Sequence, residues 1–283
     1  MLIDLHSHTT ISDGLDSPQV IIDKAKATGI KVLAITDHDS TSGWQTLKNS
    51  SSGGDLTIVP GAEISCRTAE GISVHILGYL FDPTDTSLNE FMAKTQEDRI
   101  PRIKKIILRL NEGGIAITFE DVLRHAKSAA TVGRPHLADA LIESNVVASR
   151  AEAFDTYLHN DSPFYVGYNA PTPLQAITAI KEAGGVSVLA HGLAGSRGET
   201  LPVQDIHLLI EKGLDGLEVD HRDHTSDARD ELRKISQDFG IFATGSSDYH
   251  GNVGAQKLAM EVTAPEVWEG ILAGGKGSEV FTL

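Results

Sequence analysis

Histidines and carboxylates recur along this chain in short groups whose internal spacing suits a shared cation. The first is Asp4-Leu5-His6-Ser7-His8, with Asp13 close behind. Side chains alternate from face to face in an extended segment, so His-x-His turns both imidazoles the same way. Two neutral imidazoles converging from one strand are a natural first pair of ligands for a divalent transition metal, and Asp13 on the following loop can reach the same point. Thr36-Asp37-His38-Asp39 and Gly61-Ala62-Glu63-Ile64-Ser65 supply further donors. His75, His191 and Asp248-Tyr249-His250 complete the set. Mixed imidazole and carboxylate donors suit Mn, Fe or Zn better than Mg.

Something must bring these distant groups together, and the apolar runs beside them say what. Residues 2–5, 32–35, 57–59, 74–80, 186–189, 217–219 and 241–243 are short, continuous and apolar. Such runs suit strands covered on both faces, as in parallel sheets. Helical patterns lie between several of them. Ser17-Pro18 opens residues 19–27 with Gly29 past the end, and Thr172 with Gln175 forms a capping box before residues 174–183. Alternating strands and helices predict βα units in a barrel or a doubly wound sheet. Each His or acidic group then sits at or near the carboxyl end of its own strand, the face where barrel active sites form. His75 is the exception in sequence, lying inside its strand.

Composition narrows the function further. With 24 Lys+Arg against 39 Asp+Glu, the formal charge is −15, which argues against an extended nucleic-acid groove. An anionic small substrate stays open, because bound cations can invert the local field. Cys66 is the single cysteine, so no intramolecular disulfide forms and a reducing compartment is expected. The segment MLIDLHSHTT lacks the basic-then-apolar pattern of an export signal, and no run reaches the length of a membrane span. A soluble, cytoplasmic protein is the expectation.

The middle of the chain differs. Residues 96–167 show helical patterns and no good strand. Ile103, Ile106, Ile107 and Leu110 mark one apolar helix face, and Thr118 with Asp121 and Ser149 with Glu152 have N-cap spacing. Pro135 is expected in the first turn of a helix over 137–144. The segment carries nine Lys+Arg and ten Asp+Glu, net −1, leaving −14 for the remainder. The expected organisation is a barrel domain over 1–95 and 168–283, with a helical insertion over 96–167 where a phosphate would most readily find a cation.

Taken together, DLHSHTTISDG, AITDHD, GAEIS, SVHILGY, VGRPH, VLAHG, GLEVDH and SSDYHG span nearly the whole chain. In these motifs it resembles the PHP (polymerase and histidinol phosphatase) family, and within it the TrpH-like phosphoesterases that include nucleoside 3′,5′-bisphosphate phosphatases. The resemblance implies an α/β fold, a distorted (β/α)7 TIM-like barrel one strand short of the TIM barrel, holding two to three divalent metal ions. It assigns His6, His8, Glu63 and Asp248 to one ion, Asp13, His38 and His250 to a second, and Glu63, His75 and His191 to a third. Glu63 would bridge two of them. Asp37 is expected to orient an imidazole through its other ring nitrogen. One position departs from the pattern: Asp220 stands where relatives commonly carry an aromatic residue. This leaves His221 as a candidate near the phosphate, with a surface loop pair as the alternative for His221 and His224.

The implied reaction is hydrolysis of phosphomonoesters of small nucleotides, 3′,5′-bisphosphonucleosides above all, with AMP and short oligoribonucleotides as further substrates. The nucleophile would be a hydroxide held between cations, which lower the pKa of water to near neutrality. Asp248, His191 and His221 are the expected catalytic positions. Arg134, His136 and His221 are the expected substrate contacts, the first two gripping a phosphate from the insertion. Small phosphorylated nucleotides and short RNA ends are the expected partners. Two rivals stand beside this reading: a histidinol-phosphate phosphatase, against which the insertion counts, and a non-catalytic polymerase-associated domain, against which the full donor set counts.

Overall fold

The structure is a computed structural model that describes residues 1–49, 53–126, 132–160, 162–251 and 256–283. Residues 127–131 and 161 of the expected insertion lie outside the described residues.

Seven strands follow one another around the sheet in chain order: β1 (Leu2–Asp4), β2 (Ile30–Ile35), β3 (Thr57–Arg67), β4 (Ser73–Tyr79), β5 (Val186–Ala190), β6 (Gly216–Asp220) and β7 (Phe242–Gly245). The ring is drawn together beyond the strand ends, where Ser7 bridges Tyr249 and the His8 N–H donates to the Tyr249 carbonyl at 2.8 Å. An eighth strand, β8 (Phe281–Thr282), pairs antiparallel with β3. The α/β barrel-like arrangement is the expected one.

The strands are not all parallel, however. β4 runs antiparallel to both β3 and β5. The cause is the connection: β3 and β4 are joined by a five-residue turn, closed by the Thr68 N–H on the Ile72 carbonyl and by Gly71 at φ 100°. A parallel neighbour needs a crossover of roughly a dozen residues or more, so a turn this short permits only a hairpin. β3 is also longer than its apolar run. Residues 57–60 pair with β2, and Gly61 to Arg67 pair with β4, so Glu63 lies within a strand rather than after one.

Helices cover the outside and begin where the side chains dictate. Ser17 caps α1 (Pro18–Thr28) by accepting from the Val20 N–H, and Gly29 ends it at φ 82°. α2 (Ser42–Lys48) packs Trp44 and Leu47 against Leu33, Ile35 and Ile58. Within the ring, alternate residues of successive strands (Ile3, Val32, Ala34, Leu77, Tyr79, Val186, Val188) meet Trp268 and Ile271 of a late helix.

Between β4 and β5 come α3 (Thr86–Glu112), α4 (Phe119–His125), α5 (Arg134–Glu143) and α6 (Arg150–Ala153). A π-helical turn (Phe154–Leu158) and α7 (Pro173–Glu182) follow. The capping boxes Thr118–Asp121 and Thr172–Gln175 both form. Residues from Ile103 to Leu158 make a hydrophobic cluster of their own. α3 begins at Thr86, so it runs through residue 96 without a break.

Candidate active site

The mouth of the ring collects the histidines and carboxylates. His6 and His8 follow β1, His38 follows β2, His191 follows β5 and Asp248 follows β7. His75 is the third residue of β4, and the inversion of that strand brings its amino end to the rim that the other strands reach with their carboxyl ends.

Glu63 is the centre. One carboxylate oxygen, Oε1, lies 2.8 Å from His75 Nδ1 and 3.0 Å from His191 Nε2. The other, Oε2, lies 3.3 Å from His6 Nε2, 3.1 Å from His8 Nε2 and 3.0 Å from His38 Nδ1. Asp248 Oδ1 faces the same pair from the other side, 3.2 Å from His6 Nε2 and 3.3 Å from His8 Nε2. Asp13 lies 3.3 Å from His250 Nε2, and 3.7 Å from both His38 Nε2 and His8 Nδ1.

Among the described residues three donor groups emerge, each with one ligand atom per residue and those atoms within 4.8 Å of one another: His6-His8-Glu63-Asp248, His8-Asp13-His38-His250, and His38-Glu63-His75. The first has the membership that the resemblance implies, the second adds His8, and the third has His38 in the place of His191. His8 and His38 each stand in two groups, while His191 joins the third through Glu63 alone.

These residues fit divalent ions on physical grounds. The His6 and His8 Nε2 atoms face each other at 3.1 Å, and two neutral ring nitrogens cannot both accept from one another. His38 Nδ1 and Asp248 Oδ1 are buried and, although close to Glu63 Oε2 and the His6 and His8 rings, complete no well-directed hydrogen bond among the described residues, a costly state that a cation relieves. Burial opposes a charge on His8, yet Asp248 and Glu63 outweigh it and push its pKa up to about 10. His6 rises well above its ordinary value against the same burial, driven by Asp248, Glu218 and Glu63. So concentrated a negative site binds either protons or metal cations.

The backbone around the site is strained. Asp39, His191 and Asp248 take φ of 52°, 33° and 49°, left-handed values that cost about 1–3 kcal/mol each in residues other than glycine. Specific bonds hold them there. The His191 N–H donates to Glu218 Oε2 at 2.8 Å, the Asp39 N–H to the Glu63 carbonyl at 3.0 Å, and Gln256 binds the Asp248 carbonyl.

Several supporting residues carry no signal as clear as the histidines. Glu218, fully buried, accepts from His6 Nδ1 at 3.0 Å. Burial resists its charge, but His6 and His221 hold its pKa down to about 2. Its sequence signal was an acid in the middle of an apolar strand. Asp4 ties the last loop to the first strand through Ser247 N–H (3.0 Å), Ser247 Oγ (2.6 Å) and Ala259 N–H (2.8 Å). Arg197 donates to Asp248 Oδ2 and, at 2.8 Å, to Asp223.

Other expectations need correcting. Asp37 touches no imidazole directly. It accepts from the Thr9 N–H and from Ser12 Oγ, both at 2.8 Å, and reaches His8 only through the Ser12 hydroxyl. His221 and His224 are buried, not a surface pair. His221 stands behind Asp248, its Nε2 at 3.4 Å from Oδ2, while His224 accepts from the Leu193 N–H. Asp220 lies on the outer wall, held by Arg233 at 2.7 Å. His136 is buried, accepts from the Gly133 N–H at 3.1 Å, and closes the start of α5 rather than facing the site.

Above the donors opens a cavity of about 910 Å³ between ring and insertion. Six arginines line it: Arg99, Arg102, Arg134, Arg150, Arg197 and Arg222. Four are matched by carboxylates: Arg99 by Asp39, Arg150 by Asp139, Arg197 by Asp248 and Asp223, Arg222 by Asp223. Arg102 and Arg134 pair with no carboxylate among the described residues. Arg102 Nε donates to the Val166 carbonyl at 2.7 Å. Arg134 Nη1 donates to the Leu158 carbonyl at 2.7 Å and to Asn160 Oδ1 at 2.9 Å. Burial, and then the Arg134 charge, push Arg102 down to about 10, and one of its terminal nitrogens is buried without a partner among the described residues.

Comparison with known proteins agrees with this geometry. The PHP domain model matches residues 4–159. The chain is 33% identical to the 5′-3′ exoribonuclease Rnm of Salmonella typhimurium, covering 96% of this chain and 92% of that one. It is 30% identical to the 3′,5′-nucleoside bisphosphate phosphatase of Chromobacterium violaceum, covering 88% and 87%. A solved Bifidobacterium adolescentis structure described as a metal-dependent phosphoesterase superposes with a TM-score of 0.90 at 34% identity over 96% of each chain. With the donor groups, the cavity and the strand order all in place, the chain belongs to the PHP domain family and is a metal-dependent phosphoester hydrolase.

Proposed function

We propose that the enzyme hydrolyses a phosphomonoester of a small nucleotide that carries a second phosphate, a nucleoside 3′,5′-bisphosphate being the fitting case, with two to three ions of Mn, Fe or Zn. The observation that carries this reading is the arginine pair. Two neighbouring guanidiniums, Arg102 and Arg134, face a cavity with no carboxylate against them among the described residues. Two buried like charges favour an anion that can share them, and a guanidinium holds a phosphate through two parallel hydrogen bonds. The donor groups around Glu63 serve the phosphate that is cleaved; the pair on the insertion serves the one that stays.

When bound, the divalent ions supply an activated water and offset charge on the phosphoryl oxygens. The chain supplies order. Glu63 presents one oxygen to each side of the site. Glu218 fixes the His6 ring through Nδ1 and leaves Nε2 free for a cation. Asp248 and His191 meet the reacting centre. His221 acts on Asp248 from behind, and His136 shapes the turn that carries Arg134. A second reading, trimming of short RNA ends, draws on the relative named as an exoribonuclease. No helix among the described residues is long and apolar enough to cross a membrane. The free buried Cys66 accords with a cytoplasmic setting.

The test compares kcat/KM on 3′-phosphoadenosine 5′-phosphate and on AMP. The bisphosphate should be the better substrate, and Arg134→Ala should lower it about ten- to a hundredfold while sparing AMP, the worth of one charged hydrogen-bonded contact. Equal losses on both substrates would place Arg134 at the cleaved phosphate or in the fold alone.

A further inference from the structure

A phosphate pair does not fill this cavity. At about 910 Å³ it stands near the upper end of small-ligand sites, with room for the body of a nucleotide beside its phosphates. Histidines apart, the only aromatic rings on its described wall are Tyr168 and Phe154. Tyr168 is committed: it is buried, its hydroxyl lies 3.3 Å from Ser73 Oγ, and the Arg102 guanidinium covers its ring at 4.4 Å. Phe154 is half-buried. Part of it packs on the insertion's own hydrophobic cluster, and part faces the cavity.

The backbone gives Phe154 this position. It opens the π-helical turn Phe154–Leu158 that follows α6. A π turn widens the rung to an i→i+5 spacing and is common at functional sites. Phe154 and Asp155 of the turn reach the cavity wall, as does His159 just past its end. The Arg134 guanidinium lies over the Phe154 ring at 5.5 Å from its centre, more loosely than Arg102 covers Tyr168, so a base would meet the ring at its edge or its other face. A nucleotide whose second phosphate rests on Arg134 therefore brings the rest of its body beside this ring.

We infer that Phe154 is a specificity-determining residue that stacks on the nucleobase, which rests on the nucleotide reading above. Every base offers a π face, so the preference this creates is for having a base, not for which one. The ring also gives the insertion a task that its arginines do not cover, since they hold phosphates of any origin.

The experiment uses the full chain, loaded with metal, and two substrates: adenosine 3′,5′-bisphosphate and the tetrahydrofuran bisphosphate that lacks the base. The wild type should show a KM about tenfold lower for the adenosine compound, the scale of one base stacked on an aromatic ring. Phe154→Ala should raise that KM by about the same factor, leave the abasic KM and both kcat values near wild type, and so erase the difference. Phe154→Tyr keeps the ring and should restore it. If Phe154→Ala raises both KM values equally, the ring only holds Arg134 and the inference fails while the functional reading stands. If neither KM moves, the base lies elsewhere and the inference fails. If the wild type cleaves neither compound, the functional reading fails and takes this one with it.

Discussion

Glu63 and Glu218 are both buried carboxylates among histidines, but they do different work. Glu63 gives its two oxygens to two different sets of ring nitrogens. Glu218 gives its two oxygens to two fixed donors, His6 Nδ1–H and the His191 N–H. The amide of Glu218→Gln offers one acceptor where two donors wait, so one of them loses its partner. Such supporting bonds are typically worth about ten- to a hundredfold in metal affinity, and that loss is the expected result, with the far-ultraviolet circular dichroism unchanged. Wild-type affinity, read by chelator competition, would contradict the assignment. The donor histidines were legible in the sequence because each follows or lies within its own apolar run. Glu218 was not, because its partners are 27 and 212 residues away. Arg102 was hidden differently. It sits beside Ile103 and Ile106 on a helix face that reads as simple core.

At the scale of elements, local chemistry predicted the helices well and the sheet direction less well. Ser17-Pro18, Thr118 and Thr172 all start helices as their capping chemistry requires. The inversion of β4 was available in the short turn before it, yet an apolar run carries no direction. Without that inversion His75 would not share the rim with Glu63. The loop that carries His8 and Asp13 depends in turn on α2. A Cβ on Gly43 would meet Asp37 Oδ2 at 2.0 Å, and Asp37 is the acceptor that organises Thr9 and Ser12. Gly43→Ala should therefore cost about 1–3 kcal/mol through overpacking, seen as a melting temperature several degrees lower. It should also lower kcat/KM, though residue 43 belongs to none of the donor groups. An unchanged melting temperature would show that Asp37 can yield without loss.

Over the whole molecule, an acidic chain gathers arginines at its cavity, four of them paired with carboxylates. The chain carries −15, yet the cavity between ring and insertion is lined by six arginines. We take the insertion over residues 96–167 as the part that recognises substrate and the ring as the part that holds the ions, with α3 running continuously between them. Both parts depend on the donor groups around Glu63. The most direct measurement of that centre is metal content per chain in purified wild type, Glu63→Ala and His75→Ala, each first shown to be folded. The wild type should hold at least two transition-metal ions per chain. Glu63→Ala should retain fewer ions than His75→Ala, because one carboxylate serves two sites and one imidazole serves one. Equal metal content in the two variants, or a metal-free wild type with full activity, would contradict the account.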